Sequence, residues 1–294
     1  MMKIAVLSDA RYPTKPDGGH GLGMSAHDIA TGLADTGNEV TLFALAGSEF
    51  EAGELHAIRT EAEAAKYCAS RMEFDAVLDT GHHHLLSRMV PDAPVVNRIC
   101  DMECEYQPPN AIVNSWYMKR FYPDAQLVNT GIADPAYFRE ESGDYLLYAG
   151  KKEKQLGYEL AREAARASRM PLRIANGLSG REKWKLFAGA HALIHPSRER
   201  AAPRLPIEAG YCGTPTICLA GDGTEHAVID GVTGYVAEAI TDIPMLAQIV
   251  YRLDRTRVKA WMVEHHSRGG MLYGYYSALR EVSEGAKWKR LSLV

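Results

Sequence analysis

No stretch of this 294-residue chain approaches the roughly 18 uninterrupted apolar residues that a membrane-spanning helix needs. The opening MMKIAVLSDARYP has too short an apolar run for a secretory leader, so the reading expects neither span nor leader and a cytoplasmic protein. Cysteine is scarce and odd in number: Cys68, Cys100, Cys104, Cys212 and Cys218, some set in apolar runs, exclude a disulfide framework and fit a reducing compartment. Long basic runs are missing too. With a net charge of −4, this weighs against a nonspecific nucleic-acid coat, and the basic end Lys287-Trp288-Lys289-Arg290 reads as a solvated tail. Neither an internal repeat nor a low-complexity segment occurs, which excludes solenoids and compositionally disordered linkers.

What the chain does hold is a succession of short apolar runs alternating with amphipathic stretches. At 46% hydrophobic and 24% charged it is globular, with room for two α/β domains of roughly 130 to 150 residues each. Lys3 to Ser8 (KIAVLS) reads as a buried strand. The loop Asp9 to Gly23 follows, with Gly18, Gly19, Gly21 and Gly23; Ala26, Ile29, Ala30 and Leu33 then keep helical spacing, and Glu39 to Ala44 is the next strand. A glycine-rich first turn lets backbone approach a phosphate or sugar closely, although the spacing is not G-x-G-x-x-G and a plain turn has the same composition. Phe74 to Thr80 (FDAVLDT) is a strand ending in Gly81-His82-His83-His84. Three adjacent histidines cannot all ligate one ion, because neighbours diverge on helix and strand alike. The reading is a loop with one histidine turned to the ligand, since open parallel sheets bind at their carboxyl edges. Pro94 to Ile99 (PVVNRI) leads to Cys100-Asp101-Met102-Glu103-Cys104, whose C-x-x-x-C spacing is not that of a zinc site.

In the second half Tyr145 to Ala149 (YLLYA) is a buried strand, with Lys151, Lys152 and Lys154 at the strand-to-helix turn after it. Such lysines either hold a diphosphate or sit in solvent. Pro171 to Ala175 is a strand ending at Asn176-Gly177, and Arg181 to Gly189 a helix. The stretch His191 to Gly234 organises the rest: Ala192 to His195 is a strand, a charged loop follows Pro196-Ser197, Leu205 to Tyr211 is a short helix with one carboxylate, Glu208, and Thr216 to Leu219 is a strand again. The start of that helix has unpartnered N–H groups and the positive end of its dipole, so it favours an anionic ligand.

The order Pro196-Ser197, charged loop, helix with Glu208-Ala209, Cys212-Gly213-Thr214-Pro215, strand, glycine-rich loop and Asp230-Gly231-Val232-Thr233-Gly234 resembles the donor-binding half of retaining glycosyltransferases of family 4, the glycosyl transferases group 1. The opening GGHGLGMSAHDIATGLADTGNEVTLFA is similar to the start of the same family. The resemblance implies a GT-B fold, α/β with two Rossmann-like domains facing across a cleft: residues 1–140 on the acceptor side, 141–275 binding the nucleotide sugar, and a C-terminal helix and tail, 276–294, packing back on the first. It implies transfer of a sugar from a UDP- or GDP-sugar to an acceptor hydroxyl, the donor being a co-substrate, with no cofactor and, for want of an acidic triad, no metal. On the same ground Gly18 and Gly19 face donor phosphate and acceptor, Asn176 and Gly177 adjoin the base, and Lys151, Arg200, Arg204 and the amides at Leu205 hold the diphosphate. Glu208 takes the ribose, while His82, His83 and Asp101 lie on the acceptor side.

Three positions depart from the family's pattern. Eight residues before Glu208 the family has a Glu that holds the donor sugar; here Arg200 stands there with Glu199 one place off, so either Glu199 reaches the sugar through a shifted loop or the sugar is read differently. Cys100 replaces a frequent histidine, and Leu156 replaces a diphosphate-binding lysine, for which Lys152 or Lys154 would have to substitute. Two alternatives stand beside the main expectation: a phage-type transferase acting on a modified DNA base or virion protein, and a catalytically idle nucleotide-sugar-binding protein. The acceptor, whether small molecule, glycan, protein or modified nucleobase, has no signature in the sequence.

Overall fold

The computed structural model describes residues 1–17, 20–71, 73–99, 106–153, 157–197, 204–221 and 223–288. In chain order the elements are β1 (Lys3–Leu7), α1 (Gly21–Asp35), β2 (Glu39–Leu45), β3 (Glu54–Ile58), α2 (Glu61–Arg71), β4 (Ala76–Asp79), α3 (Leu85–Met89), β5 (Val95–Arg98), β6 (Ala111–Val113), α4 (Trp116–Lys119) and β7 (Gln126–Leu127). They continue with β8 (Leu146–Ala149), α5 (Tyr158–Ser168), β9 (Leu172–Ala175), α6 (Gly180–Ala188), β10 (Ala192–His195), α7 (Arg204–Tyr211), β11 (Thr216–Leu219), β12 (Gly234–Ala237), α8 (Ile243–Ile249), α9 (Arg255–His265) and α10 (Arg268–Ser283). No described helix is long and apolar enough to cross a membrane. The chain divides into two compact units, Met1–Asn129 with Gly269–Val294, and Thr130–Arg268.

The first unit is built on a parallel sheet in the order β3-β2-β1-β4-β5-β6-β7. Its central strands are largely apolar because helices cover both faces, with polar residues such as Asp79, Asn97 and Arg98 at their carboxyl ends. Ile4, Val6, Leu42, Leu78 and Val96 point to one side, against Ile29 and Leu33 of α1 and Met271, Tyr275, Leu279 and Val282 of α10. The alternate residues Ala5, Leu7, Phe43, Val77 and Val95 point to the other, against Ala64, Ala65 and Cys68 of α2 and Leu86 of α3. The C-terminal helix thus completes the core of the first unit. The break expected after residue 275 falls inside α10, and the division comes at Arg268 instead. The expected crossing at residue 140 is displaced as well. The second unit begins at Thr130, and Ile132 already packs on its Ile207, Tyr211 and Met262.

The second unit has a parallel sheet in the order β12-β11-β10-β8-β9. One face carries Leu146, Tyr148, Ile194 and Ile217 against α5 and α8. The other carries Leu147 and Leu193 against Phe187 of α6 and Ala209 of α7. Arg255, buried at the start of α9, ties this unit together by donating to the carbonyls of Arg139, Ala188 and Ala190 and to Thr214 Oγ1. The strand order reverses between β8 and β10. In such a sheet the crevice for a ligand opens there, beyond the carboxyl ends of the strands.

Candidate functional site at the carboxyl edge of the second sheet

Three turns meet at that edge. After β8, Lys151 extends into solvent with Nζ 3.8 Å from Glu153 Oε1, and its carbonyl accepts from the Tyr148 hydroxyl at 2.8 Å. After β9 come Asn176 and Gly177, both exposed, the glycine at φ +66°. After β10 the chain passes through Pro196-Ser197 toward α7, which carries Arg204, Leu205 and Glu208. The first and third turns touch: Gly157, at φ +77°, caps α5, and the place a Cβ would occupy is filled by the Pro196 carbonyl. Only glycine meets both demands. His195 ends β10 as a buried ring whose pKa burial pushes down to about 4, so it is a neutral imidazole at physiological pH.

Glu208 is 1% exposed. Its Oε1 accepts from Arg204 Nε at 3.0 Å, one turn earlier on α7, and from Lys183 Nζ at 2.8 Å, which arrives from α6. Among the described residues no donor reaches Oε2. Lys183 is itself 7% exposed, and its ammonium lies 4.7 Å from the centroid of the Trp184 ring. A buried carboxylate is tolerated only with counter-charges in good geometry, and here two cations supply them. Lys183 was not among the residues expected to matter. The available signal was its place four residues before Phe187, on the buried stripe of α6, where a lysine needs an anion.

The first unit's sheet edge carries His82 and His83, two of the three residues expected on the acceptor side. Asp9, after β1, is gripped by Arg11, whose Nε lies 3.0 Å from both carboxylate oxygens. The Tyr12 and His20 rings stack at 3.7 Å, and His20 caps α1. At the end of β4, Asp79 Oδ1 accepts from the Gly81 N–H at 2.9 Å and lies 3.9 Å from Nδ1 of the buried His84. Glu61 accepts the backbone N–H groups of His82 and His83 at 2.8 and 3.0 Å. The histidine loop is therefore held by its backbone, with the His83 side chain exposed and that of His82 half-buried. Gly18, Gly19, Cys100, Asp101, Lys154, Leu156, Glu199 and Arg200 lie outside the described residues. Among the described residues no group of three or more His, Cys, Asp and Glu side chains is placed to hold a metal ion.

Residues 145–253, the span that builds the second unit's edge, match the model of the family Glycosyl transferases group 1. Three solved structures are similar along nearly the whole chain. AviGT4, a glycosyltransferase involved in Avilamycin A biosynthesis, has a TM-score of 0.78 at 17% identity, over 98% of this chain and 100% of that one. Sucrose-phosphate synthase from Thermosynechococcus elongatus has a TM-score of 0.79 at 13% identity, over 97% and 100%. Anabaena HepE in complex with UDP has a TM-score of 0.72 at 13% identity, over 95% and 100%. No curated protein matches the chain. At such identities the likeness is one of fold.

Proposed function

We propose that this chain, which has the GT-B fold and carries a glycosyl transferases group 1 domain at residues 145–253, transfers a glycosyl group from a nucleotide-diphosphate sugar to an acceptor hydroxyl with retention of configuration. The observation that carries the reading is the convergence of Lys151, Asn176-Gly177 and the Arg204–Glu208 helix start on one sheet edge at a strand-order reversal. The hard part of such a reaction is the leaving diphosphate, on which negative charge grows as the glycosidic bond breaks. Cations and helix N-terminal amides aimed at it stabilise the transition state more than the ground state. Lys151, Arg204 and the first amides of α7 take that role, joined by Arg200. Oε2 of Glu208 accepts from a ribose hydroxyl, Asn176 and Gly177 adjoin the base, and Glu199 holds sugar hydroxyls. The departing phosphate oxygen receives the acceptor's proton, so no protein base is required. Lysine and arginine neutralise the phosphates, which makes the reaction independent of a divalent metal and insensitive to EDTA. A uridine donor is favoured by HepE, which has been solved with UDP and with UDP-glucose.

A thermal-shift screen against UDP, GDP, ADP, TDP and CMP tests the donor site. A ligand at about 100 times its Kd adds about 2.7 kcal/mol to stability, which raises Tm by roughly 5 °C or more in domains of this size. One nucleotide is expected to give that shift, and Glu208→Ala to abolish it. No shift with any nucleotide at millimolar concentration overturns the assignment. With the donor found, Lys151→Ala and Arg204→Ala are expected to lower turnover more than binding; a wild type that binds donor and neither transfers nor hydrolyses it would be an idle binder.

A further inference from the structure

Lys183 and Arg204 grip the same oxygen of Glu208, but they do different things. Arg204 sits one turn away on the same helix, so its bond to the carboxylate is made within α7. Lys183 belongs to α6, whose first residue, Gly180, follows Asn176-Gly177 by three positions. Its bond therefore ties the carboxylate to the segment that holds the exposed turn after β9. Base and ribose form one nearly rigid nucleoside. A site that reads both needs a fixed distance between the group at the base and the group at the sugar hydroxyls, and preorganisation of that kind is what converts a contact into selectivity. The two cations also fix how the carboxylate is turned: with both on Oε1, Oε2 is the oxygen left to accept.

We propose that Lys183 is the positioning residue that sets Glu208 for the ribose hydroxyls, and that it makes this site choose ribonucleotides over deoxyribonucleotides. The inference rests on the donor-site reading above. Loss of one charged hydrogen bond to a hydroxyl corresponds to about a tenfold change in affinity.

The test is calorimetric titration of the best-binding nucleoside diphosphate among UDP, GDP and ADP, and of its 2′,3′-dideoxy counterpart. The proteins are wild type, Lys183→Met, and the double variant Lys183→Met with Glu208→Gln, which removes both charges at nearly constant volume. Wild type is expected to prefer the ribonucleotide about tenfold or more. Lys183→Met is expected to shrink the preference to less than about threefold while dideoxy affinity stays within about twofold, and the double variant to show the same reduced preference, as two residues acting through one contact must. A Lys183→Met protein that keeps the tenfold preference, or that weakens both ligands in equal proportion, overturns the proposal and leaves the donor site standing. If the single variant does not fold, retention of the preference in the double variant overturns it equally. A wild type that binds without preference overturns the proposal alone; one that binds no nucleoside diphosphate overturns the donor-site reading with it.

Discussion

Asp79 is a buried carboxyl at the end of a central strand, and burial pushes its pKa up to about 7; the Gly81 N–H opposes the shift and the nearby Glu61 charge adds to it. The sign of its effect on stability follows from proton linkage. Between about pH 4 and pH 7 the folded chain keeps a proton that an ordinary aspartate in the unfolded chain has lost, so stability falls as pH rises through that window, by up to about 1.4 kcal/mol per unit, and is level above it. Asp79→Asn removes the titration and keeps an oxygen for the Gly81 N–H. Urea unfolding is expected to find the variant equal to wild type near pH 4 and about 4 kcal/mol more stable at pH 8; an equal difference at both would mean that shape, not charge, governs the site. At this scale legibility in the sequence was uneven. Glu208 stood out as the lone acid of a short apolar helix behind a strand. Its partner Lys183 lies 25 positions away, and a pairing made only by tertiary packing leaves no local pattern.

The start of α5 shows how an element is placed by one residue. Gly157 and Gly177 both have left-handed backbone, yet a Cβ on Gly157 meets the Pro196 carbonyl, whereas one on Gly177 meets nothing within 4 Å. Alanine at Gly177 is expected to cost about 1 to 2 kcal/mol for its backbone conformation. Alanine at Gly157 is expected to cost about 1 to 3 kcal/mol more, because the two turns must separate. Thermal unfolding of both variants checks this, and equal losses would remove the turn-to-turn contact from the account. Elements with continuous buried runs were legible: β10 and β11 occupy the positions read from the sequence. The edge strand β3 was not, since in ELHAI only Ile58 is buried and Leu55 faces outward. Nor was α3, whose five residues are too few to show a helical period.

Across the whole molecule the titrating groups are unevenly shared. His195, His226 and His266, all in the second unit, are driven by burial to pKa values of about 4; the Thr130 carbonyl, which accepts from His266 Nδ1, offsets part of the effect at that ring. Below about pH 6.5 the unfolded chain takes up protons that these folded rings refuse, so the second unit loses up to about 1.4 kcal/mol per histidine for each unit of acidification down to about pH 4. Asp79 works in the opposite direction in the first unit. Calorimetric scans at pH 7, 6 and 5 are expected to show one transition moving to lower temperature while another holds or rises. A single transition that shifts as a whole would contradict the separate sharing of these groups.

The second unit interrupts the first: the chain leaves at Asn129 and returns at Gly269. During translation the ribosome must therefore add the roughly 140 residues of the second unit before α10 emerges. At about 5 to 20 residues per second this is an interval on the order of ten seconds. Throughout it the sheet face destined for Met271, Tyr275, Leu279 and Val282 lies bare, and by its end every residue of the second unit has been made. The half begun first is finished last, and the nascent chain offers chaperones an apolar surface that the completed protein hides.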